Sequence, residues 1–153
     1  MKSLEHKIPP PLVALTIAVL MWLTSLFSWV APLDTITRLV PAIILLLIGN
    51  AVILSGVYLF HKKQTTVNPL NPEKSTGLVT EGIYRYTRNP MYLGMVFILL
   101  AWWVWLAAPL AFIGPLIFAG FIGRFQIIPE ERAMEKLFGK EFEQYRNQVR
   151  RWL

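Results

Sequence analysis

Hydrophobic and polar positions alternate along this chain on the scale of whole segments. Four apolar runs cover residues 12–30, 39–60, 91–106 and 110–128, and shorter polar intervals separate them. The first run has about 19 residues, and as a helix it would cross roughly 30 Å of hydrocarbon at ~1.5 Å per residue. It is also longer than the apolar core of a typical signal peptide, so we expect it to be retained. The pattern predicts an all-α integral membrane protein with four transmembrane helices.

The last two runs belong to one stretch, residues 91–123, that carries no charge. A single straight helix of that length would measure about 50 Å, which exceeds the hydrocarbon core of a bilayer. The sequence Ala107-Ala108-Pro109 offers a break in the middle. We therefore predict a tight helical hairpin whose two open ends lie on the same side of the membrane.

From Pro129 onward the apolar residues recur at steps of three and four, which is typical of an amphipathic helix. Pro129 suits the first helical position, and Gly139 is the expected joint. We expect this C-terminal segment to lie on the cytoplasmic membrane surface or to fold over the central loop rather than to span. The repeating apolar positions are Met134, Leu137, Phe138, Phe142, Tyr145, Val149 and Trp152.

The basic residues predict the orientation. Fourteen of the fifteen Lys and Arg residues would lie on one side of the four spans. The positive-inside rule places that side, with both termini and the central loop, in the cytoplasm. We expect a multi-pass protein of the inner membrane, in which residues 1–153 form one domain. Residues 1–60 would be a two-span hairpin, and residues 61–153 would be the functional core.

Composition excludes several kinds of chemistry. The chain has no cysteine, which rules out disulfides, thiolate nucleophiles and Cys-ligated metals. His6 and His61 lie far apart in sequence, so no metal site is expected. The net charge of +6 is carried beside the apolar runs, which favours anionic lipid headgroups over nucleic acid. The nucleotide-binding motifs of soluble enzymes are also absent from the sequence.

The central interval, residues 77–94, has too many aromatic, Gly and Pro residues for a solvated linker. The predicted hairpin would bring its polar residues close to a second polar cluster beyond residue 123. Arg and Asn could then bind a carboxylate, Glu an ammonium or ribose hydroxyls, and the rings a base. Such a site suits a small zwitterionic cofactor. The first cluster is Tyr84, Arg85, Tyr86, Arg88, Asn89, Pro90, Tyr92 and Gly94, and the second is Arg124, Gln126, Glu130 and Glu131.

Three segments, residues 78–94, 129–132 and 137–145, carry a family resemblance. Together they resemble the isoprenylcysteine carboxyl methyltransferase and phospholipid methyltransferase superfamily, as a short integral membrane member of bacterial type. The resemblance implies a membrane methyltransferase that uses S-adenosyl-L-methionine. It also implies that the cofactor binds on the cytosolic side and that the methyl acceptor enters from the bilayer.

The resemblance assigns roles to individual residues. Arg88-Asn89-Pro90-x-Tyr92 matches the family's Arg-His-Pro-x-Tyr, and Glu130-Glu131 matches its paired glutamates. Asn89 replaces the His of the carboxyl methyltransferases, and it can donate a hydrogen bond but cannot carry charge. Arg124 matches a basic residue thought to orient an acceptor carboxylate. The expected catalytic residues are Arg124 and Glu131, and the expected cofactor-binding residues are Tyr86, Arg88, Asn89, Pro90, Tyr92, Leu93, Gly94, Glu130 and Glu131.

The acceptor and the reaction class stay open at this point. A carboxylate acceptor needs only positioning, whereas an amine or thiol must lose a proton, for which Glu131 is the candidate base. We expect a small or lipidic acceptor, contact with membrane lipids and no obligate protein partner. The alternatives are an NADPH-dependent membrane reductase of the sterol and steroid type and a non-catalytic membrane assembly protein.

Overall fold

The computed structural model describes residues 8–62 and 77–153, and within those residues it contains helices and no strand. The predicted all-α fold is confirmed for this part of the chain. Four of the lysines that support the predicted orientation, Lys2, Lys7, Lys63 and Lys74, lie outside the described residues. The helices are α1 Pro10–Phe27, α2 Thr35–Lys62, α3 Pro90–Leu106, α4 Ile113–Ile122, α5 Ile128–Phe138 and α6 Lys140–Gln148.

Three shorter helical turns connect these helices. Two are 3₁₀ turns, Gly82–Arg85 in the central loop and Pro109–Phe112 before α4. The third is a π turn, Gly123–Ile127, between α4 and α5. The 3₁₀ turn at Pro109, α4, the π turn and α5 follow one another without a break, so that Pro109–Phe138 runs as one helical stretch of 30 residues.

In the described part of the chain, α1, α2 and the stretch Pro109–Phe138 are long and apolar enough to cross a membrane. Helix α3 is apolar but has 17 residues. Three of the predicted spans are therefore supported by length and composition, and the count of four stays a prediction. The helical stretch also continues past residue 128, where we expected a new helix to begin. Pro129 cannot donate a main-chain hydrogen bond, and the wider π turn immediately before it lets the helix continue.

Helix α3 contacts each of the other apolar helices, α1, α2 and α4. Against α2 it packs through small residues, because the buried positions of α2 are Ala42, Gly49 and Gly56. On its other side α3 contributes Leu99 to an apolar core shared with Phe118 of α4 and residues of α1. The remaining faces of α1 and α2 expose large apolar side chains, as expected for helices that face lipid.

The predicted break between α3 and α4 is confirmed. Helix α3 ends at Leu106, and the next residue, Ala107, has a left-handed backbone with a φ of 51°. The indole nitrogen of Trp103 donates to the oxygen of Ala108 at 3.1 Å and fixes the turn. The main-chain nitrogen of Ala31 donates to the oxygen of Ala107 at 2.8 Å. The α1–α2 connection and the hairpin turn therefore lie together, at the end of the molecule opposite the first turn of α3.

The C-terminal segment forms two helices, and Gly139, with a φ of 49°, joins them as predicted. Helix α6 packs against the central loop: Phe142 and Tyr145 bury their rings beside Val79 and Tyr84. The hydroxyl of Tyr145 donates to the main-chain oxygen of Tyr84 at 2.8 Å. Of the two expected locations, the structure shows the fold over the central loop, while a location on the membrane surface stays a prediction.

Candidate active site

The two polar clusters meet at the open end of the α3–α4 hairpin. The hydroxyl of Tyr92, in the first turn of α3, donates to Oε1 of Glu130 in the first turn of α5. The guanidinium of Arg88 lies 3.1 Å from Oε1 of the neighbouring Glu131. The hairpin thus brings Arg88, Tyr92, Glu130 and Glu131 into one site, as the apolar pattern indicates.

The loop that carries Arg88 is shaped by its own side chains. Thr87 is fully buried, and its hydroxyl accepts a hydrogen bond from the main-chain nitrogen of Asn89 at 3.2 Å. Asn89 stands just before α3, and Pro90 is the first helical residue, a position where its missing N–H costs nothing. The oxygen of Asn89 accepts the first helical bond, from Leu93. Arg88 is therefore held immediately before the start of α3.

Arg88 is the buried cation of the site, with 10% of its side chain exposed. Its Nη2 contacts Glu131, but its Nε and Nη1 are buried and have no hydrogen-bond partner among the described residues. Burial lowers the pKa of Arg88, and the negative charge of Glu131 opposes that shift. An arginine remains a cation under such a shift. The site therefore holds a positive charge with two donor nitrogens to spare.

Glu131 is shared between two arginines. Nε of Arg151 lies 3.1 Å from its Oε1, and Nη2 of Arg151 lies 2.7 Å from its Oε2. The hydrogen bond to Glu131 raises the pKa of Arg151. Both oxygens of Glu131 are thus occupied as acceptors. A role for Glu131 as a base would require one of these arginines to release it, and that role stays a prediction.

Asn89 uses its side chain within the protein. Its Nδ2 donates to the main-chain oxygen of Arg151 at 2.9 Å, so the amide binds the C-terminal tail. A carbonyl can be satisfied by a neutral donor. The side chain at position 89 therefore has to donate a hydrogen bond but does not have to carry a charge. The Asn that replaces the family's His therefore has a structural partner of its own.

Other predicted site residues lie apart from this group. Tyr86 is 72% exposed, and Arg124 is exposed with its guanidinium 6.0 Å from the ring centre of Phe125. Leu93 is buried in α3, and Gly94 faces α2. Pro90 is buried in the first turn of α3. The cofactor-binding roles of Tyr86, Pro90, Leu93 and Gly94, and the catalytic role of Arg124, stay predictions.

Gln126 points away from Arg88 toward the start of the chain. Its Nε2 donates to the main-chain oxygen of Ile8 at 2.8 Å, and the side chain is almost fully buried. Gln126 belongs to the π turn Gly123–Ile127, and such turns occur often at functional sites. The π turn sets the helical register in which Glu130 and Glu131 reach the loop before α3.

Sequence reasoning missed three residues of this site: Thr87, Tyr145 and Arg151. Tyr145 was assigned to the apolar stripe of the C-terminal segment, which gave no sign of its hydroxyl bond to the loop. Thr87 and Arg151 lie outside any hydrophobic repeat. One signal could have found Arg151. Its neighbour Trp152 is a large aromatic residue of a kind that is mostly buried, which indicates that the C-terminal tail packs onto the protein.

Comparisons with known proteins show the family of the chain. The family model for phospholipid methyltransferases matches residues 37–141, well over half of the 153 residues. The chain therefore belongs to the phospholipid methyltransferase family. The matched region contains Arg88, Tyr92, Glu130 and Glu131 and ends before Arg151.

Two relatives show how far the similarity extends. An uncharacterized protein of Haemophilus influenzae is 49% identical over 63 residues, which are 41% of this chain and 100% of that relative. Protein-S-isoprenylcysteine O-methyltransferase A of Arabidopsis thaliana is 29% identical over 110 residues. That match covers 70% of this chain and 54% of the plant protein, so the chain spans about half of that relative's length. No solved structure matches the chain.

The family match and the apolar helices together support a membrane methyltransferase. The predicted superfamily is confirmed. The match also favours a methyltransferase over the two alternatives considered from the sequence, a membrane reductase and a non-catalytic assembly protein.

Proposed function

We propose that the protein transfers a methyl group from S-adenosyl-L-methionine to a lipidic or small acceptor at the cytoplasmic face of the inner membrane. The observation that carries this proposal is the guanidinium of Arg88, buried beside Glu131 with Nε and Nη1 unpartnered among the described residues. Buried donors without partners are costly unless a ligand satisfies them.

The described residues fit this cofactor. Its amino-acid end carries a carboxylate and an ammonium, and a buried guanidinium with free N–H donors, Nε and Nη1 of Arg88, suits a carboxylate. The carboxyl of Glu130, paired with a neutral hydroxyl, offers an acceptor for the ammonium or for ribose hydroxyls. The buried hydroxyl of Tyr84 is a further polar atom without a partner among the described residues. The site thus offers hydrogen-bond donors for the carboxylate and acceptors for the ammonium of a zwitterion.

When bound, the cofactor supplies a methyl group already activated on a sulfonium, so the protein has to orient and exclude water rather than activate the donor. Arg88 would hold the carboxylate of the cofactor. The carboxyl of Glu130, which Tyr92 positions, would accept hydrogen bonds from the ammonium of the cofactor. The exposed Arg124 would meet an anionic acceptor arriving from the bilayer. For an amine or thiol acceptor, Glu131 would take the proton after release from one of its two arginines.

Of the two proposed kinds of acceptor, a lipidic one is favoured, because the chain belongs to the phospholipid methyltransferase family and its helices expose large apolar side chains. The plant relative is a methyltransferase of S-isoprenylcysteine by name, and its acceptor also carries a lipid chain. The carboxyl, amino and thiol classes of acceptor are separable by the product. Incubating membranes with methyl-labelled cofactor and extracting the labelled product identifies the class directly.

Thermal stabilisation of the detergent-purified protein tests the cofactor. S-adenosyl-L-methionine and its demethylated product should each raise the melting midpoint, because a ligand that binds the folded state stabilises it. Arg88→Lys should lose most of this rise, since lysine keeps the charge but has no planar guanidinium that can contact Glu131 and the ligand at once. Arg146→Lys, at an exposed position of α6, is the matched control and should keep it. Stabilisation by NADPH alone would favour the reductase alternative and overturn the proposal, as would stabilisation by none of these compounds.

A further inference from the structure

The C-terminal tail, residues 149–153, lies across both halves of the candidate active site. The main-chain oxygen of Arg150 accepts a hydrogen bond from the main-chain nitrogen of Arg88 at 3.1 Å. The oxygen of Arg151 accepts from Nδ2 of Asn89 at 2.9 Å and from the hydroxyl of Thr87 at 3.4 Å. These bonds fix the tail to the loop before α3.

The side chain of Arg151 reaches the other half of the site. Its Nε and Nη2 contact the two oxygens of Glu131, at 3.1 and 2.7 Å. This is a two-pronged pair, in which each oxygen of the carboxylate has its own donor. One residue therefore joins the loop before α3 to the first turn of α5.

The second arginine at Glu131 is Arg88, which contacts Oε1 through one nitrogen only, Nη2 at 3.1 Å. A carboxylate beside a single arginine favours a two-pronged pair with it. Because Arg151 already occupies Glu131 in that way, Arg88 is restricted to one contact. Its Nε and Nη1 consequently stay without a partner among the described residues.

We propose that Arg151 is a positioning residue of the active site, which holds Glu131 so that Arg88 keeps two donors for the carboxylate of the cofactor. This inference rests on the proposed function, because it assumes that Arg88 binds that carboxylate. Without Arg151, Glu131 would turn to Arg88 and compete with the ligand for the same nitrogens.

The side chain of Arg151 is separable from the attachment of the tail. The bonds to Thr87 and Asn89 use its main-chain oxygen, which any residue supplies. Trp152 packs against the apolar core and gives the tail a second anchor. The side chain of Arg151 is 40% exposed, so its loss leaves no buried cavity. A variant of Arg151 can thus change the site while the tail stays in place.

Calorimetric titration with the demethylated cofactor product, on the full-length protein in lipid nanodiscs, measures the effect. We expect Arg151→Ala to weaken binding about tenfold, because hydrogen bonds to charged groups carry that much affinity. The affinity of Arg151→Lys should lie between those of Arg151→Ala and the wild type, since lysine restores the charge but not the two-pronged pair with Glu131. Arg150→Ala keeps its main-chain oxygen, has an exposed side chain, and should bind like the wild type.

A double variant separates positioning from a merely structural role. If Arg151 acts by keeping donors of Arg88 available, both substitutions act through those same donors. Adding Arg151→Ala to Arg88→Lys should then weaken binding little beyond the effect of Arg88→Lys alone. Equal affinities of wild type and Arg151→Ala would overturn the inference, and so would losses that simply add. A lower melting midpoint with unchanged affinity would also overturn it. If Arg151→Ala does not fold, Arg151→Lys carries the same comparison.

The wild-type titration distinguishes this inference from the proposed function. A wild-type protein that does not bind the cofactor product overturns the proposed function, and the role of Arg151 with it. A wild type that binds, with an Arg151→Ala variant that binds equally well, leaves the proposed function intact and overturns the role of Arg151 alone.

Discussion

Tyr92 and Glu130 are 38 residues apart in sequence, and a side-chain hydrogen bond joins them. Tyr92 is 6% exposed, so this bond lies away from water, where an unpartnered polar atom is costly. It connects the first turn of α3 to the first turn of α5 and closes the open end of the hairpin. The positions of both glutamates relative to Arg88 therefore depend on it.

Removing the hydroxyl of Tyr92 should affect both stability and activity. Tyr92→Phe leaves Glu130 without this donor, which should lower the free energy of unfolding by about 1–3 kcal/mol. Methyl transfer should also fall, because Glu130 is no longer fixed at the first turn of α3. Melting midpoints in detergent and turnover of labelled cofactor measure the two effects. Tyr58→Phe, on an exposed face of α2, is the matched control. A Tyr92→Phe variant as stable and active as Tyr58→Phe would contradict the prediction.

The hairpin was predictable because its signals are local. A stretch without charge that is too long for one span has to turn, and Ala107-Ala108-Pro109 is where a helix ends most easily. An antiparallel hairpin has both of its open ends on the same side, so it brings the polar cluster of Arg88 close to that of Glu131. For the same reason the sequence could indicate the site before any contact was known.

The tail and the π turn were not predictable from the same reasoning. Arg151 and Glu131 are both charged residues, so the contact between them produces no repeating pattern of apolar positions in the sequence. The continuation of the helix through Pro129 depends on the π turn at Gly123–Ile127, and helix-start rules treat such a proline as a beginning. Gly94 was assigned to the cofactor from its motif, yet its packing partner is Gly49. Sequence patterns do not separate a ligand contact from a helix contact at a glycine.

The start of α2 should depend on pH through Asp34. The main-chain nitrogens of Ile36 and Thr37 donate to its Oδ1, at 2.9 and 3.0 Å, and the hydroxyl of Thr37 donates to its other oxygen. The hydroxyl bond of Thr37, then its main-chain bond, hold the pKa of Asp34 below the usual value of 3.8. A carboxyl whose pKa is lower in the folded state stabilises it above 3.8 and loses that effect as the pH falls through the folded pKa.

Asp34→Asn tests this effect, because asparagine still accepts the helix-start bonds but cannot titrate. Near neutral pH the wild type should melt at a higher temperature than the variant. The difference should shrink as the pH falls below 3.8 and through the lowered pKa of Asp34, because the carboxylate then becomes protonated. Melting midpoints of both proteins across this range measure it, and groups elsewhere titrate equally in the pair. A difference that stays constant down to the lowest pH would contradict the prediction.

Helices α2 and α3 pack at a distance that two glycines set. A Cβ at Gly94 would stand 2.5 Å from the main-chain oxygen of Gly49, and one at Gly49 would stand 2.7 Å from the oxygen of Gly94. Real Cβ atoms do not approach main-chain oxygens so closely. Small residues at such a crossing allow the close approach that stabilises helix pairs in membranes.

Gly94→Ala should therefore push α3 away from α2 and lower the free energy of unfolding by about 1–3 kcal/mol, the usual cost of overpacking. Because α3 carries Tyr92 in its first turn, cofactor binding should weaken as well. Gly120→Ala is the matched control, since a Cβ there meets nothing within 4 Å and alanine favours the helix. Melting midpoints and titrations with the demethylated cofactor product compare the two variants. If Gly94→Ala has the same melting midpoint as Gly120→Ala but loses cofactor binding, Gly94 contacts the cofactor and the packing explanation is wrong.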